Sequence, residues 1–227
     1  VQHLYELPFD AHLASLTPDA FAREVLAEGL GISHVVVGAD FCFGKGRAGK
    51  AHDLQALGRS LGFGVTIAEL VKSDNKDISS TAIRQALSEG RPRDAASMLG
   101  HWHRIDGEVI HGEKRGRELG YPTANMSVTG LHLPKFGVYA TLVDVLTGPL
   151  KGSYLGASSL GVRPMFGMNT PNLEAYILDF KGDLYGQHIS VGLVDYLRPE
   201  LKFNGLPALL DQMAADVVQC RAILSAV

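Results

Sequence analysis

The apolar positions of the first hundred residues change period several times, and each change marks an element. Residues 17–29, TPDAFAREVLAEG, place Phe21, Val25 and Leu26 on one helical stripe, with Thr17 as N-cap and Pro18 at the first helical position. SHVVVG (33–38) is a β-branched run of the kind buried in parallel sheets. A glycine-rich loop (44–49) follows, then a predicted helix over 51–61 and a strand over 64–70. This β-loop-α-β order predicts an α/β unit on a parallel sheet. Beyond the polar stretch 73–77, a helix over 79–89 ends at Gly90, and Pro92 opens a short helix through Leu99.

From Gly100 the period becomes two. Segments 102–111, 136–146, 152–162, 173–180 and 188–197 alternate apolar and polar residues, separated by turn material such as TGPLKG and KGDLYG. Short strands at this spacing predict a small antiparallel barrel or sandwich. A final helix over about 205–225 sets Leu209, Leu210, Met213 and Val217 mostly on one face. The pattern predicts two domains, 1–99 and 100–227, which the 227 residues accommodate at roughly 150 residues or fewer each.

Composition narrows the partners. The chain carries 21 Lys+Arg against 24 Asp+Glu, a net charge of −3, so neither a nucleic-acid groove nor an anionic membrane is expected. The two cysteines, Cys42 and Cys220, suit a reducing compartment. No apolar run reaches the length of about 18 residues that a membrane helix needs, and VQHLYELPFD has no signal-peptide pattern. The expectation is a cytoplasmic protein whose partners are small molecules.

Four segments carry candidate chemistry. In GKGRAGKA (44–51), Gly44, Gly46 and Gly49 fit GxGxxG, with Glu69 twenty residues on. The apparent strand ends six residues too early for a dinucleotide fold, and Ala51 lacks the hydroxyl of a Walker A loop. That leaves a basic surface loop, or a contact for an anionic or aromatic ligand through Phe41, Phe43, Lys45 and Arg47. In ISSTAIR (78–84), Ser79, Ser80 and Thr81 gather at a helix start with Arg84 one turn later, either as plain capping or as an anion site. In HGEKRGRELGYPTAN (111–125), Thr123 and Asn125 point the same way in an extended chain and offer two uncharged oxygens of the kind Mg²⁺ accepts, with Pro122 stiffening the approach. An ordinary turn is the alternative there. In LEAYILDF (173–180), Glu174 shares a face with Tyr176, Leu178 and Phe180, where a carboxylate is either paired or functional. His101 and His103, flanking Trp102, are read as structural.

GRELGYPTAN, FGVYA (136–140), GVRP (161–164), LEAYILDF, GDLYG (182–186), LRPELKF (197–203) and the last helix, in that order, resemble the riboflavin kinase domain. VGADFCFGKGRAG (37–49) and ISSTAIR resemble the adenylyltransferase module of bacterial bifunctional riboflavin kinase/FAD synthetases. The resemblance implies a partial α/β nucleotidyltransferase-like module followed by a Greek-key β-barrel with a C-terminal helix. It implies transfer of the ATP γ-phosphate to the riboflavin 5′-hydroxyl, giving FMN. Thr123 and Asn125 would hold Mg²⁺, and Glu174 would take the hydroxyl proton. Gly112, Lys114, Gly116, Gly120 and Pro122 would join Thr123 and Asn125 around ATP, and Arg198 would be a flavin contact. The isoalloxazine ring is expected in a slot between the barrel and the C-terminal helix. In the first module Gly38, Asp40 and Phe43, with Ser79, Ser80, Thr81 and Arg84, would form the nucleotide site. Two departures bear on this. Met165 stands where the family has Thr, and no HxGH motif occurs in the 227 residues, which leaves FMN adenylylation to FAD open. A first half lacking the segment around that motif is expected to be unstable or to self-associate. The alternative function is a non-catalytic flavin- or nucleotide-binding module.

Overall fold

The computed structural model describes residues 2–73, 76–112, 116, 119–165 and 168–227; residues 72, 73, 76, 77, 163–165, 168 and 169 are described by their backbone alone. The chain divides into two compact units, Val1–Asp77 and Ile78–Val227.

The first unit begins with α1 (Ala11–Ser15) and α2 (Pro18–Ala20), whose N-cap Thr17 accepts a hydrogen bond from the Ala20 amide at 3.2 Å. α2 runs on as a π-helix over Phe21–Gly29, and the wide turn closes with the Leu30 amide donating to the Val25 carbonyl. The predicted stripe is there, but the ladder is i to i+5 rather than i to i+4. β1 (His34–Gly38) pairs in parallel with β4 (Gly64–Ala68), and α3 (Ala51–Leu61) lies between them in sequence, ending on Gly62 with φ +86°. Val35, Val37, Val65 and Ile67 turn one face of the pair toward the core around Leu54, Phe43 and Phe63. Val36 points to the other face and is 63% exposed, so β1 is buried on one side where the β-branched run predicted both.

The glycine motif does not stand between a strand and a helix as a phosphate loop would. β2 (Cys42–Phe43) and β3 (Gly49–Lys50) form an antiparallel hairpin around a single 3₁₀ turn. Gly49 is needed because a Cβ there would strike the Phe43 ring at 2.8 Å. Gly44 and Gly49 serve close packing in the hairpin and Gly46 takes φ +64° in its turn, which excludes the dinucleotide and Walker readings. A short pair, β5 (Lys72–Ser73) and β6 (Lys76–Asp77), ends the unit.

The second unit opens with the helical pair α4 (Ser80–Ser88) and α5 (Pro92–Leu99). A six-stranded antiparallel sheet follows: β7 (His103–Glu108), β8 (Thr123–Ser127), β9 (Gly137–Val145), β10 (Gly152–Met165), β11 (Met168–Ile177) and β12 (His188–Arg198), in the order β7-β12-β9-β10-β11-β8. β9, β10 and β11 are consecutive antiparallel neighbours and β12 returns beside β9, which is the Greek-key arrangement. The sheet curls until its two edges meet, where Ile110, just past β7, bridges Asn125 of β8 with its amide on the Asn125 carbonyl at 2.8 Å. Leu173, Ala175 and Ile177 of β11 face the interior with Tyr139, Val143 and Leu160. The outer face is covered by the final helix, α6 (Leu206–Leu224), through Val217, Cys220 and Leu224 on Ala140, Leu178 and Val194.

β8 is the strand that periodicity did not predict. Pro122, Thr123 and Asn125 are turn-formers by composition, yet TANMS is extended and pairs with β11 from Thr123↔Tyr176 to Ser127↔Asn172. Long-range pairing overrides local preference here, and it excludes the turn reading.

Candidate active site

β8 and β11 bring the candidate catalytic and metal residues together. Asn125 stands directly opposite Glu174, and Thr123 opposite Tyr176. The Thr123 hydroxyl donates to Glu174 Oε2 at 3.4 Å. The Asn125 Nδ2 donates to the Thr123 carbonyl at 3.2 Å and to Thr123 Oγ1 at 3.3 Å. Asn125 is 4% exposed, so its amide is fixed by these partners rather than by water. Gly112 lies against it: a Cβ at this position would come within 2.6–2.8 Å of the Asn125 amide atoms. The Gly116 carbonyl accepts the amide hydrogens of Leu119 and Tyr121, and Gly120, ahead of Pro122 and β8, takes φ +82°. Lys114, and the side chains of Arg163 and Met165, lie outside the described residues.

Two cavities border Thr123. One, of about 330 Å³, lies between the outer face of the sheet and α6. Its walls are Ala157 and Tyr176 from the strands and Leu209, Met213 and Val217 from the helix, and Glu174 and Thr123 also line it. An apolar slot between barrel and helix is where the sequence reading expected one. The second, of about 300 Å³, is lined by Pro122, Thr123, Ile177, Phe180, Lys181 and Tyr185. Both volumes sit at the lower end of the roughly 300–1,000 Å³ range of small-molecule sites. Thr123 lines both.

Arg198 lines the first cavity, but its guanidinium is engaged: Nε and Nη2 donate to Asp216 at 2.9 and 2.7 Å, and Gln212 donates to the same carboxylate. The pair is nearly buried, with side chains 16% and 7% exposed, and it fastens the end of β12 to α6. Sequence reasoning missed Asp216, because a charge on a helix gives no sign of its partner across the chain. It also missed Asn172, whose Nδ2 donates to Asn125 Oδ1 at 3.1 Å.

The donor set fits a hard cation that arrives with its own anionic ligands. Thr123 Oγ1 and the Asn125 amide are uncharged and adjacent, and among the described residues no group of three His, Cys, Asp or Glu side chains forms an all-protein metal cage.

The residues of the other nucleotide set are divided. Gly38, Asp40 and Phe43 belong to the first unit, and Ser79, Ser80, Thr81 and Arg84 to the second. Phe43 is 5% exposed and packs in the core, with its ring 5.6 Å from Phe41 and 5.7 Å from Phe21. Of the three hydroxyl residues, Ser79 is the N-cap of α4, accepting from the Ala82 amide at 3.1 Å.

The model of the riboflavin kinase family matches residues 99–224, and that of the FAD synthetase family matches residues 1–82. A bifunctional riboflavin kinase/FMN adenylyltransferase of Pseudomonas fluorescens is 40% identical over 218 residues, 96% of this chain and 69% of the relative. The chain belongs to this bifunctional family. Its relatives in Listeria monocytogenes and Escherichia coli (strain K12) are 39% and 38% identical and cover 99% and 97% of the chain, which spans 70% of each. Among solved structures, a Streptococcus pneumoniae chain titled a macrolide-efflux protein is 32% identical, with a TM-score of 0.79, covering 94% of this chain and 67% of its own. Among the described residues of the present chain, no helix is long and apolar enough to cross a membrane.

Proposed function

We propose that the protein is a riboflavin kinase whose reaction takes place at Thr123, between the two cavities. The observation that carries this reading is the position of Thr123: the residue lines both cavities and its hydroxyl touches Glu174. An alcohol held in one cavity and a triphosphate in the other would meet at Thr123, the residue common to the described linings of both.

The apolar cavity under α6 takes the isoalloxazine ring, with the ribityl chain running toward Glu174. The second cavity takes ATP, its Lys181 and aromatic lining suiting a nucleotide. Thr123 Oγ1 and the Asn125 amide oxygen hold Mg²⁺, with Gly112, Gly116, Gly120 and Pro122 shaping the segment around the phosphates. When bound, the ion neutralises charge on the β- and γ-phosphates. The protein contributes position and a proton acceptor. Glu174 accepts the proton of the 5′-hydroxyl as its oxygen bonds to the γ-phosphorus; the bond from that phosphorus to the β–γ bridging oxygen breaks, and ADP leaves. Arg198, held by Asp216, forms part of the flavin wall.

A non-catalytic flavin-binding module is not favoured, because it gives no reason for a carboxylate to meet Thr123 between two cavities. Incubation with riboflavin, ATP and Mg²⁺ tests the proposal: FMN is expected by chromatography, and flavin binding without FMN would refute it. FAD in the same incubation would assign the family's second activity to this chain.

A further inference from the structure

We propose that Asn172 is a positioning residue that determines whether Asn125 turns its amide oxygen or its amide nitrogen toward the cation site. This rests on the reading that Thr123 and Asn125 hold Mg²⁺.

Among the described residues, Asn172 Oδ1 is the buried side-chain polar atom with no hydrogen-bond partner. Such atoms are rare in folded proteins and call for a reason. Asn172 Nδ2 donates to Asn125 Oδ1, and this leaves Asn125 Nδ2 directed at Thr123 Oγ1 and at the Thr123 carbonyl. In that orientation Asn125 offers a donor where a cation needs an acceptor. A half-turn of the Asn125 amide exchanges oxygen and nitrogen within nearly the same volume. Its oxygen then joins Thr123 Oγ1 and faces the Thr123 carbonyl, an acceptor pair that only a bound cation would make favourable, and its nitrogen faces Asn172, which must present an acceptor in reply. Asn172 has one to present: the oxygen now without a partner. Asn172 is an amide that can donate in one state and accept in the other, so it supports both orientations of Asn125 through a matched pair of rotations. A residue able only to donate would oppose the cation-ready state, and an apolar one would leave the Asn125 nitrogen buried without a partner.

The test titrates Mn²⁺ into the full chain with ADP, following free Mn²⁺ by electron paramagnetic resonance so that no turnover is needed. In Asn172→Leu the half-saturating Mn²⁺ should rise about tenfold, as expected for loss of a residue that orients a metal ligand. Riboflavin affinity, read by fluorescence quenching, should stay within about twofold of wild type. In an Asn125→Ala background the same substitution should have no further effect on Mn²⁺, because no amide remains to be oriented. Asn172→Asp, which can accept from Asn125 but not donate to its oxygen, should leave half-saturation at or below the wild-type value. Unchanged Mn²⁺ binding in Asn172→Leu, beside a loss in Thr123→Val, would overturn the role of Asn172 and leave the cation reading standing. No loss in Thr123→Val would remove the cation reading and the proposal with it. An effect that persists in the Asn125→Ala background, or an equal loss of riboflavin binding, also overturns it. Should Asn172→Leu fail to fold, Asn172→Asp decides: a tenfold weakening there is the contrary result.

Discussion

Thr123 and Glu174 are diagonal neighbours on adjacent strands, joined hydroxyl to carboxylate at 3.4 Å, with the proposed phosphate side of the site beyond one and the proposed alcohol side beyond the other. The sheet register makes this contact. Thr123 opposes Tyr176 and Glu174 opposes Asn125, so a slip of one residue in β8 would turn Thr123 and Asn125 toward the interior. The site therefore depends on this pairing, to which the bridge from Ile110 to Asn125 adds a contact on the other edge of β8.

Glu174→Gln keeps the volume and one acceptor oxygen while removing the basic carboxylate. Riboflavin affinity is expected within about twofold of wild type, whereas FMN formation should fall by about 10²-fold or more, the usual cost of losing a positioned proton acceptor. Rapid-quench measurement at saturating ATP and Mg²⁺ separates the two quantities. Undiminished turnover would remove Glu174 from the mechanism.

Gly112→Ala tests the packing behind Asn125. The added methyl meets the amide at 2.6–2.8 Å, and because Asn125 is buried the amide must move rather than swing into solvent. The expected result is a rise of about tenfold in the Mg²⁺ concentration needed for half-maximal FMN formation, with riboflavin affinity kept. The backbone at Gly112 needs no left-handed conformation, so the fall in stability should be that of overpacking a buried amide, about 1–3 kcal/mol by urea unfolding.

The barrel and its helix were legible because alternation and amphipathicity report burial directly, and five of its six strands are predicted by period two. β8 was not, since Pro, Thr and Asn carry turn preferences and a five-residue strand has too little alternation to oppose them. Thr123, Asn125 and Glu174 stood out as candidates by residue type and spacing, with a turn and a paired carboxylate as open alternatives, and the roles proposed for them come from the resemblance to riboflavin kinases. Asn172 and Asp216 were not, because each acquires its role from a partner 47 or 18 residues away in sequence. The π-helical ladder at Phe21–Gly29 was also out of reach, as the same apolar stripe serves either helix.

Asp216→Ala should act on stability and on the flavin cavity together. Removing one member of a nearly buried ion pair leaves Arg198 without its compensating charge, at a cost of about 3 kcal/mol. It also frees α6 at the cavity wall, so riboflavin affinity should fall more than affinity for ADP. Urea denaturation and separate titrations with the two ligands measure both effects. A destabilised variant with unchanged riboflavin affinity would separate the latch from the site.

His103 predicts how stability responds to acid. Burial lowers its pKa below the ordinary 6.5, and the positive charges of His132 and His101 push it the same way, against a smaller opposing effect of Asp106. The ring is at the start of β7, opposite Leu193, where a protonated imidazole is poorly solvated. Between the folded pKa and 6.5 the unfolded chain binds a proton that the folded ring refuses, so stability falls as pH drops through that window. The loss is bounded by one proton, about 1.4 kcal/mol per pH unit. Above 6.5 both states are neutral at this residue and its contribution no longer changes with pH. His103→Gln removes the titration while keeping a polar side chain, so its urea midpoint should decline less than that of wild type between pH 7 and pH 5.5. Equal declines in the two proteins would mean that the acid sensitivity originates in other groups.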